Sequence, residues 1–401
     1  MKRKTNMAGT FFERKHKEDR PVIAICYDFD RTLSPDDMQA QGFIQEVGWS
    51  VSDFWKGTTR LARDNDMDAN LAYMLMMLEE SRGKFPLTKQ ALMDYGARVQ
   101  LFPGVADWFE RIRRYGQEQG VIVEHYIISS GIREMIEGTQ MARDGAFTAI
   151  YASSFYFNEK NEAVWPAMAV NYTNKTQFLF RIEKGVLDVN DPAVNDNFPL
   201  EERRVPFRNM VYIGDSDTDV PCMRLVNAYG GYSIGVFDPE TGKRKVYKML
   251  KENRIKYFAE ADYREDSALD FLVKSIIQRT VVNEKLEAIH YTLKNEMESF
   301  ARSEQKRATP EVREKERLIQ ALSGSRNFAT THMLFERLQS VPSWTEEERE
   351  ALLRIGEENK QIYYMLGDAR VGGFYRTLLG DDPEKDSLSA RSIREALSST
   401  Q

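Results

Sequence analysis

Two cysteines in 401 residues exclude a disulfide framework. Cys26 and Cys222 both stand in apolar surroundings, which fits a reducing cytoplasm. Histidine is equally scarce. His16, His125, His290 and His332 are scattered, and their spacing offers no zinc site. No apolar run reaches the ~18 residues needed to span a membrane. An excess of one charge is also missing. The chain has 56 basic and 62 acidic residues, a formal net charge of −6, so its charge gives no general reason to expect nucleic-acid binding. There is no internal repeat and no low-complexity tract.

What is present is a globular composition, 42% hydrophobic and 29% charged, in a chain long enough for two or three domains. Residues 1–20 are basic (Lys2, Arg3, Lys4, Arg14, Lys15, Lys17, Arg20) and lack an apolar centre. They read as a solvated leader and not as a secretory signal. Val22 to Tyr27 reads as a buried strand. Residues 35–99 follow a helical period, with Phe43, Ile44, Val47, Val51, Phe54, Leu71, Leu75 and Leu78 at three- and four-residue steps. Beyond Pro103-Gly104, apolar strand-like runs alternate with helical ones: Val121–Ile128, Ala149–Phe157, Met210–Ile213 and Tyr232–Val236. That alternation predicts a parallel α/β sheet. Residues 281–380 are helical in period throughout and read as a separate all-helical domain. Residues 381–401 are polar and read as a flexible tail.

The most informative segment is Ile23-Ala24-Ile25-Cys26-Tyr27-Asp28-Phe29-Asp30-Arg31-Thr32. An apolar strand ends in two aspartates one residue apart. Carboxylates are costly to bury, so acids at that end of a strand usually serve a site. Three further pieces accompany it. One apolar strand ends at Ser129-Ser130-Gly131. A helical stretch opens at Lys175, after a hairpin-like flap over residues 151–170. A third strand ends in Gly214-Asp215-Ser216-Asp217-Thr218-Asp219.

In order, type and spacing these pieces resemble the four motifs of the haloacid-dehalogenase-like (HAD) phosphohydrolases, over roughly residues 21–278. The helical insertion between the first two motifs resembles the C1-cap branch near phosphoserine phosphatase. The resemblance implies a Rossmann-like core over 21–34 and 100–280, with a helical cap over 35–99. It implies Asp28 as a nucleophile forming an aspartyl-phosphate, and Asp30 as the general acid and base. Ser129 and Lys175 would hold the phosphoryl oxygens. Mg²⁺ would lie on Asp28, Asp215 and the main chain of Asp30, with Asp219 orienting ligands or pairing with Lys175. Arg31, Thr32, Ser130 and Gly131 would border the substrate.

Some assignments stay open on sequence alone. Ser130 competes with Ser129, and Lys184 with Lys175. Arg31 stands where the family usually has a small residue. It would clamp an anionic part of the substrate or fold back onto Asp36 or Asp37. No glutamate follows Thr32 where phosphoserine enzymes carry one, which weakens that substrate. Asp217 reads as a solvated loop acid. Gly230-Gly231-Tyr232-Ser233-Ile234-Gly235 lacks the P-loop lysine and precedes a strand, so it reads as a turn. The expected activity is Mg²⁺-dependent hydrolysis of a small phosphorylated metabolite. The alternatives are a phosphate on a macromolecule or nucleic-acid end, or a phosphate-sensing protein. A protein partner or self-association would use residues 281–380.

Overall fold

The computed structural model describes residues 12–307, 309–379, 383 and 386–399. Seven strands form one sheet: β1 (Val22–Tyr27), β2 (Ile122–Ile132), β3 (Ala149–Phe157), β4 (Ala163–Met168), β5 (Met210–Gly214), β6 (Tyr232–Phe237) and β7 (Tyr257–Glu260). Their order is β4-β3-β2-β1-β5-β6-β7. All neighbours pair in parallel except β3 and the edge strand β4, which form the antiparallel flap.

Both faces of the sheet are covered, and β1 shows why its sequence is apolar throughout. Ile23, Ile25 and Tyr27 join one hydrophobic cluster, while Val22, Ala24 and Cys26 join a second on the opposite face. A strand buried on both faces cannot alternate in polarity. β5 divides in the same way, with Val211 and Ile213 against Met210 and Tyr212.

Between β1 and β2 lie the cap helices α1 (Phe43–Glu46), α2 (Val51–Asp64), α3 (Ala69–Ser81) and α4 (Lys89–Gly96). Their starts are set by capping side chains. Ser50 accepts from the amide of Asp53, Asp68 from Asn70 and Leu71, and Thr88 from Ala91. The rest of the first unit contains α5 (Val105–Glu118), α6 (Arg133–Glu137), α7 (Gln140–Arg143), α8 (Lys175–Lys184), α9 (Val220–Ala228) and α10 (Arg244–Lys251). The long α11 (Ala268–Arg307) follows.

The chain divides into two compact units at Ala288 and Ile289, inside α11. The second unit continues with α12 (Pro310–Ser323), α13 (Phe328–Gln339), α14 (Glu346–Glu358), α15 (Lys360–Tyr364), α16 (Ala369–Leu378) and α17 (Leu388–Ser398). Its own core includes Leu322, Phe335, Leu352, Tyr375 and Ile393.

Four sequence expectations change. Of the expected leader, residues 1–11 lie outside the described residues, and residues 12–20 stay exposed or half-buried yet are tied to the core. Arg14 Nε donates to the Lys184 carbonyl at 3.0 Å, and Lys15 Nζ to Glu124 at 2.8 Å. Glu124 supplies the buried countercharge that the leader's own composition could not reveal. The start of an independent helical region at 281 falls within α11, because no proline or glycine interrupts 268–307. Residues 388–398 form a helix and not part of a flexible tail, since Ala390, Ile393 and Leu397 recur on one face and are buried. β2 runs through Ser129 to Ile132 instead of ending at Ser129. Its pairing with β3 shifts register between Ser129 and Ile132, so the site turn is an irregularity in the strand. Among the described residues, no helix is long and apolar enough to cross a membrane.

Candidate active site

β1 and β2 pair in register up to Tyr27 and Ile127, and β1 pairs with β5 up to Tyr27 and Ile213. Asp28, Ser129 and Asp215 therefore emerge from three neighbouring strands at one edge of the sheet. The amide of Asp28 donates to the Ile213 carbonyl at 3.0 Å, which holds the first aspartate against β5. Lys175 opens α8 and is 0% exposed. A buried ammonium needs countercharge. Its Nζ lies 3.1 Å from Asp28 Oδ1 and 2.8 Å from Asp219 Oδ1. Burial alone would depress the lysine's pKa, but Asp219 and Asp28 outweigh it and the net shift is upward.

Asp219 is fully committed. Its Oδ1 also accepts from the Tyr212 hydroxyl at 2.9 Å, and its Oδ2 accepts from the amide and hydroxyl of Ser216. Asp28 is the opposite case. Lys175 is close enough to pair with its Oδ1 but makes no hydrogen bond to it, and that buried oxygen has no hydrogen-bond partner. Burial and the nearby Asp219 raise the Asp28 pKa to about 7, against the pull of Lys175.

Asp30 Oδ1 accepts from the amide of Met38, the first residue of a short 3-10 turn in the cap. Burial, Asp37 and Asp28 push its pKa well above the usual carboxylate range. An upward shift is the direction that suits a general acid. Two glycines permit this packing. A Cβ on Gly131 would lie 2.9 Å from Asp30 Oδ2, and one on Gly214 would lie 2.5 Å from Asp219 Oδ2.

Asp28, Asp215 and Asp219 offer ligand atoms within 4.8 Å of one another, all buried. Three converging carboxylates and an unpartnered buried oxygen fit a hard divalent cation such as Mg²⁺. Asp219 is held by Lys175, Tyr212 and Ser216, whereas Asp28 Oδ1 has no hydrogen-bond partner and Asp215 Oδ2 accepts from Lys245.

The remaining sequence candidates separate. Lys184 donates to the carbonyls of Val194 and Asp196, away from the carboxylates, so Lys175 is the lysine at the site. Ser129 Oγ accepts from the Gly131 amide, and the Ser130 carbonyl accepts from Tyr73 and Ser153. Thr32 is 0% exposed, and its hydroxyl has no hydrogen-bond partner. It therefore does not border open space. Arg31 folds back onto Asp37 at 3.1 Å and Asp36 at 3.6 Å, and not over Asp28. Its φ of +58° turns it out of the strand path. Asp217 is exposed and pairs with Arg254.

Residues 25–224 match the family model described as haloacid dehalogenase-like hydrolase. The chain belongs to this family. An uncharacterized protein of Borreliella burgdorferi is 28% identical over 276 residues, which cover 63% of this chain and 95% of that protein. A HAD family hydrolase of Salmonella enterica serovar Typhi is 17% identical, with 65% of this chain and 73% of that chain covered and a TM-score of 0.43. A probable phosphoserine phosphatase of Vibrio cholerae is 12% identical, with coverages of 66% and 67% and a TM-score of 0.43. In this HAD hydrolase the helical insertion lies between β1 and β2, the position of a C1 cap.

Sequence reasoning missed three residues of the site. Tyr212 lies inside a buried strand and gives no polar signal. Tyr73 reaches the site from the cap through its hydroxyl, which donates to the Ser130 carbonyl at 2.6 Å. Lys245, in α10, lies 2.9 Å from Asp215 Oδ2, and only the β6–β7 crossover brings it there.

Proposed function

We propose that this protein is a Mg²⁺-dependent phosphatase that hydrolyses a phosphate monoester of a small metabolite through an aspartyl-phosphate on Asp28. The observation that carries this reading is the pairing of a buried lysine with Asp28 and Asp219, beside Asp30, whose Oδ1 accepts from the Met38 amide. Mg²⁺ on Asp28, Asp215 and the Asp30 carbonyl would offset the charge of the phosphoryl group and orient it.

In the first step an Asp28 oxygen attacks phosphorus while the bond to the leaving alcohol breaks. Asp30 gives its proton to the departing oxygen. In the second step Asp30, now ionised, takes a proton from water. The water oxygen attacks phosphorus, and inorganic phosphate leaves with Asp28 restored. Lys175 carries a fixed positive charge beside the reacting carboxylate throughout. Ser129 would donate its hydroxyl to a phosphoryl oxygen.

A small substrate is favoured because cap residues stand directly at the site, with Met38 on Asp30 and Tyr73 on the Ser130 carbonyl. The buried free thiols of Cys26 and Cys222 support a reducing, cytoplasmic setting. Asp28→Asn should abolish hydrolysis of small phosphate esters while leaving the circular dichroism spectrum unchanged. Retained turnover would refute the mechanism. Phosphopeptides and 5′-phosphorylated oligonucleotides run in the same assay would identify a macromolecular substrate.

A further inference from the structure

Asp215 carries a partner that no step above requires. Lys245 Nζ lies 2.9 Å from Asp215 Oδ2, where the carboxylate side chain is 11% exposed and the lysine side chain 46% exposed. The lysine is thus anchored at its tip while nearly half of its side chain meets solvent. It approaches from α10, whereas Lys175 comes from α8. Both Lys245 and Arg31 exert an electrostatic pull in this region, Lys245 on Asp37 and Arg31 on Asp215.

We propose that Lys245 is a built-in competitor for the metal, a tethered cation that neutralises Asp215 until Mg²⁺ takes its place. The inference rests on the reading of Asp215 as a metal ligand. Asp215 is buried enough that leaving it ionised without a counterion is costly. A half-exposed lysine supplies that charge without itself being taken wholly out of water. A divalent ion on the same carboxylate meets the ammonium as a like charge, and the lysine has somewhere to go. Asp37 lies within its electrostatic reach, and nearly half of the lysine side chain is open to solvent. Lys175 cannot play this part. It is wholly buried and fixed by two carboxylates, so it stays when the metal binds. The device would keep the carboxylates in place without metal and set a threshold of Mg²⁺ below which the site stays closed to it.

The test is a MgCl₂ titration of the full chain at constant ionic strength, read by the thermal unfolding midpoint and not by turnover. Lys245→Met removes the charge and keeps the length, whereas Lys245→Arg keeps the charge. The methionine variant should bind Mg²⁺ about fivefold more tightly, the size of a partly exposed ion pair. It should also start from a lower midpoint without metal. The arginine variant should stay near the parent affinity. Unchanged or weaker Mg²⁺ binding in Lys245→Met overturns the proposal and makes the lysine a support for the liganding carboxylate. Asp215→Asn in parallel separates the two levels. If it binds Mg²⁺ like the parent, the assignment of Asp215 as a ligand fails, and the competition with it. If it loses Mg²⁺ while Lys245→Met gains nothing, only the competition fails.

Discussion

Trp108, Tyr27 and His125 form a buried relay directly behind Asp28. The Trp108 indole donates to the Tyr27 hydroxyl at 2.8 Å, and that hydroxyl faces His125 Nδ1 at 3.0 Å. The other ring nitrogen faces the Phe109 carbonyl at 3.1 Å. The network assigns a neutral imidazole that accepts at Nδ1 and donates at Nε2. Burial and the Arg113 charge lower the histidine pKa to about 3. The sign follows from linkage. An unfolded histidine takes a proton below about pH 6.5, while the folded one resists until about 3, so the unfolded state binds more protons between them. Its contribution is full above pH ~6.5 and falls toward pH 3, at up to ~1.4 kcal/mol per pH unit. Urea unfolding of His125→Gln across this range should show a shallower pH slope than the parent, and identical slopes would contradict this account. The same residue shows the limit of sequence reading. His125 was visible as an isolated histidine in an apolar run, but its partners lie 98 and 16 positions away along the chain.

The cap and flap are joined to the site by few but specific contacts. Thr88 and Glu162 form an isolated antiparallel bridge between cap and flap tip, and the Ala163 amide donates to the Leu87 carbonyl. Deeper in, Asn70 reaches the Val170 carbonyl, Asn171 reaches Asp68, and Tyr73 reaches the Ser130 carbonyl. Backbone ties at the flap tip make cap and flap candidates to shift together, while the Tyr73 hydroxyl latches α3 to the second motif. Tyr73→Phe removes that latch but leaves the Ser130 carbonyl its bond from Ser153. The expected result is a loss of about fivefold in kcat/KM, the worth of ~1 kcal/mol in one hydrogen bond, with little change in unfolding midpoint. An equal loss of stability would mean the hydroxyl serves packing alone. Trp49 and Trp55 pack against the large core cluster, with Trp55 edge-on to Tyr73.

The whole chain holds two compact units with separate hydrophobic cores. Units with independent cores unfold as separate cooperative transitions. Calorimetry should resolve two, and saturating Mg²⁺ should raise only the one belonging to residues up to Ala288. Phe335→Ala opens a cavity in the second core, since Phe335 is 0% exposed and packs edge-on with Phe374 and Tyr375. It should lower the other transition alone, by about 3–5 kcal/mol. A single transition shifted by both treatments would show that the units unfold as one.

The local sequence determined the strands buried on both faces, the helical insertion after the first motif, and the acids at the strand ends. Each follows from period, apolarity and the cost of burying charge, which act over a few residues. The resemblance of these pieces to the HAD motifs pointed to Asp28, Asp30, Asp215 and Asp219 as site candidates and left Lys175 open against Lys184. Tertiary structure decided everything that depends on pairing across distance. It chose Lys175 over Lys184, turned Arg31 onto Asp36 and Asp37, and brought Lys245 to Asp215. It also packed residues 388–398 and anchored Lys15 on Glu124. These outcomes turn on which charge meets which in a low-dielectric interior, and a linear pattern carries no record of that.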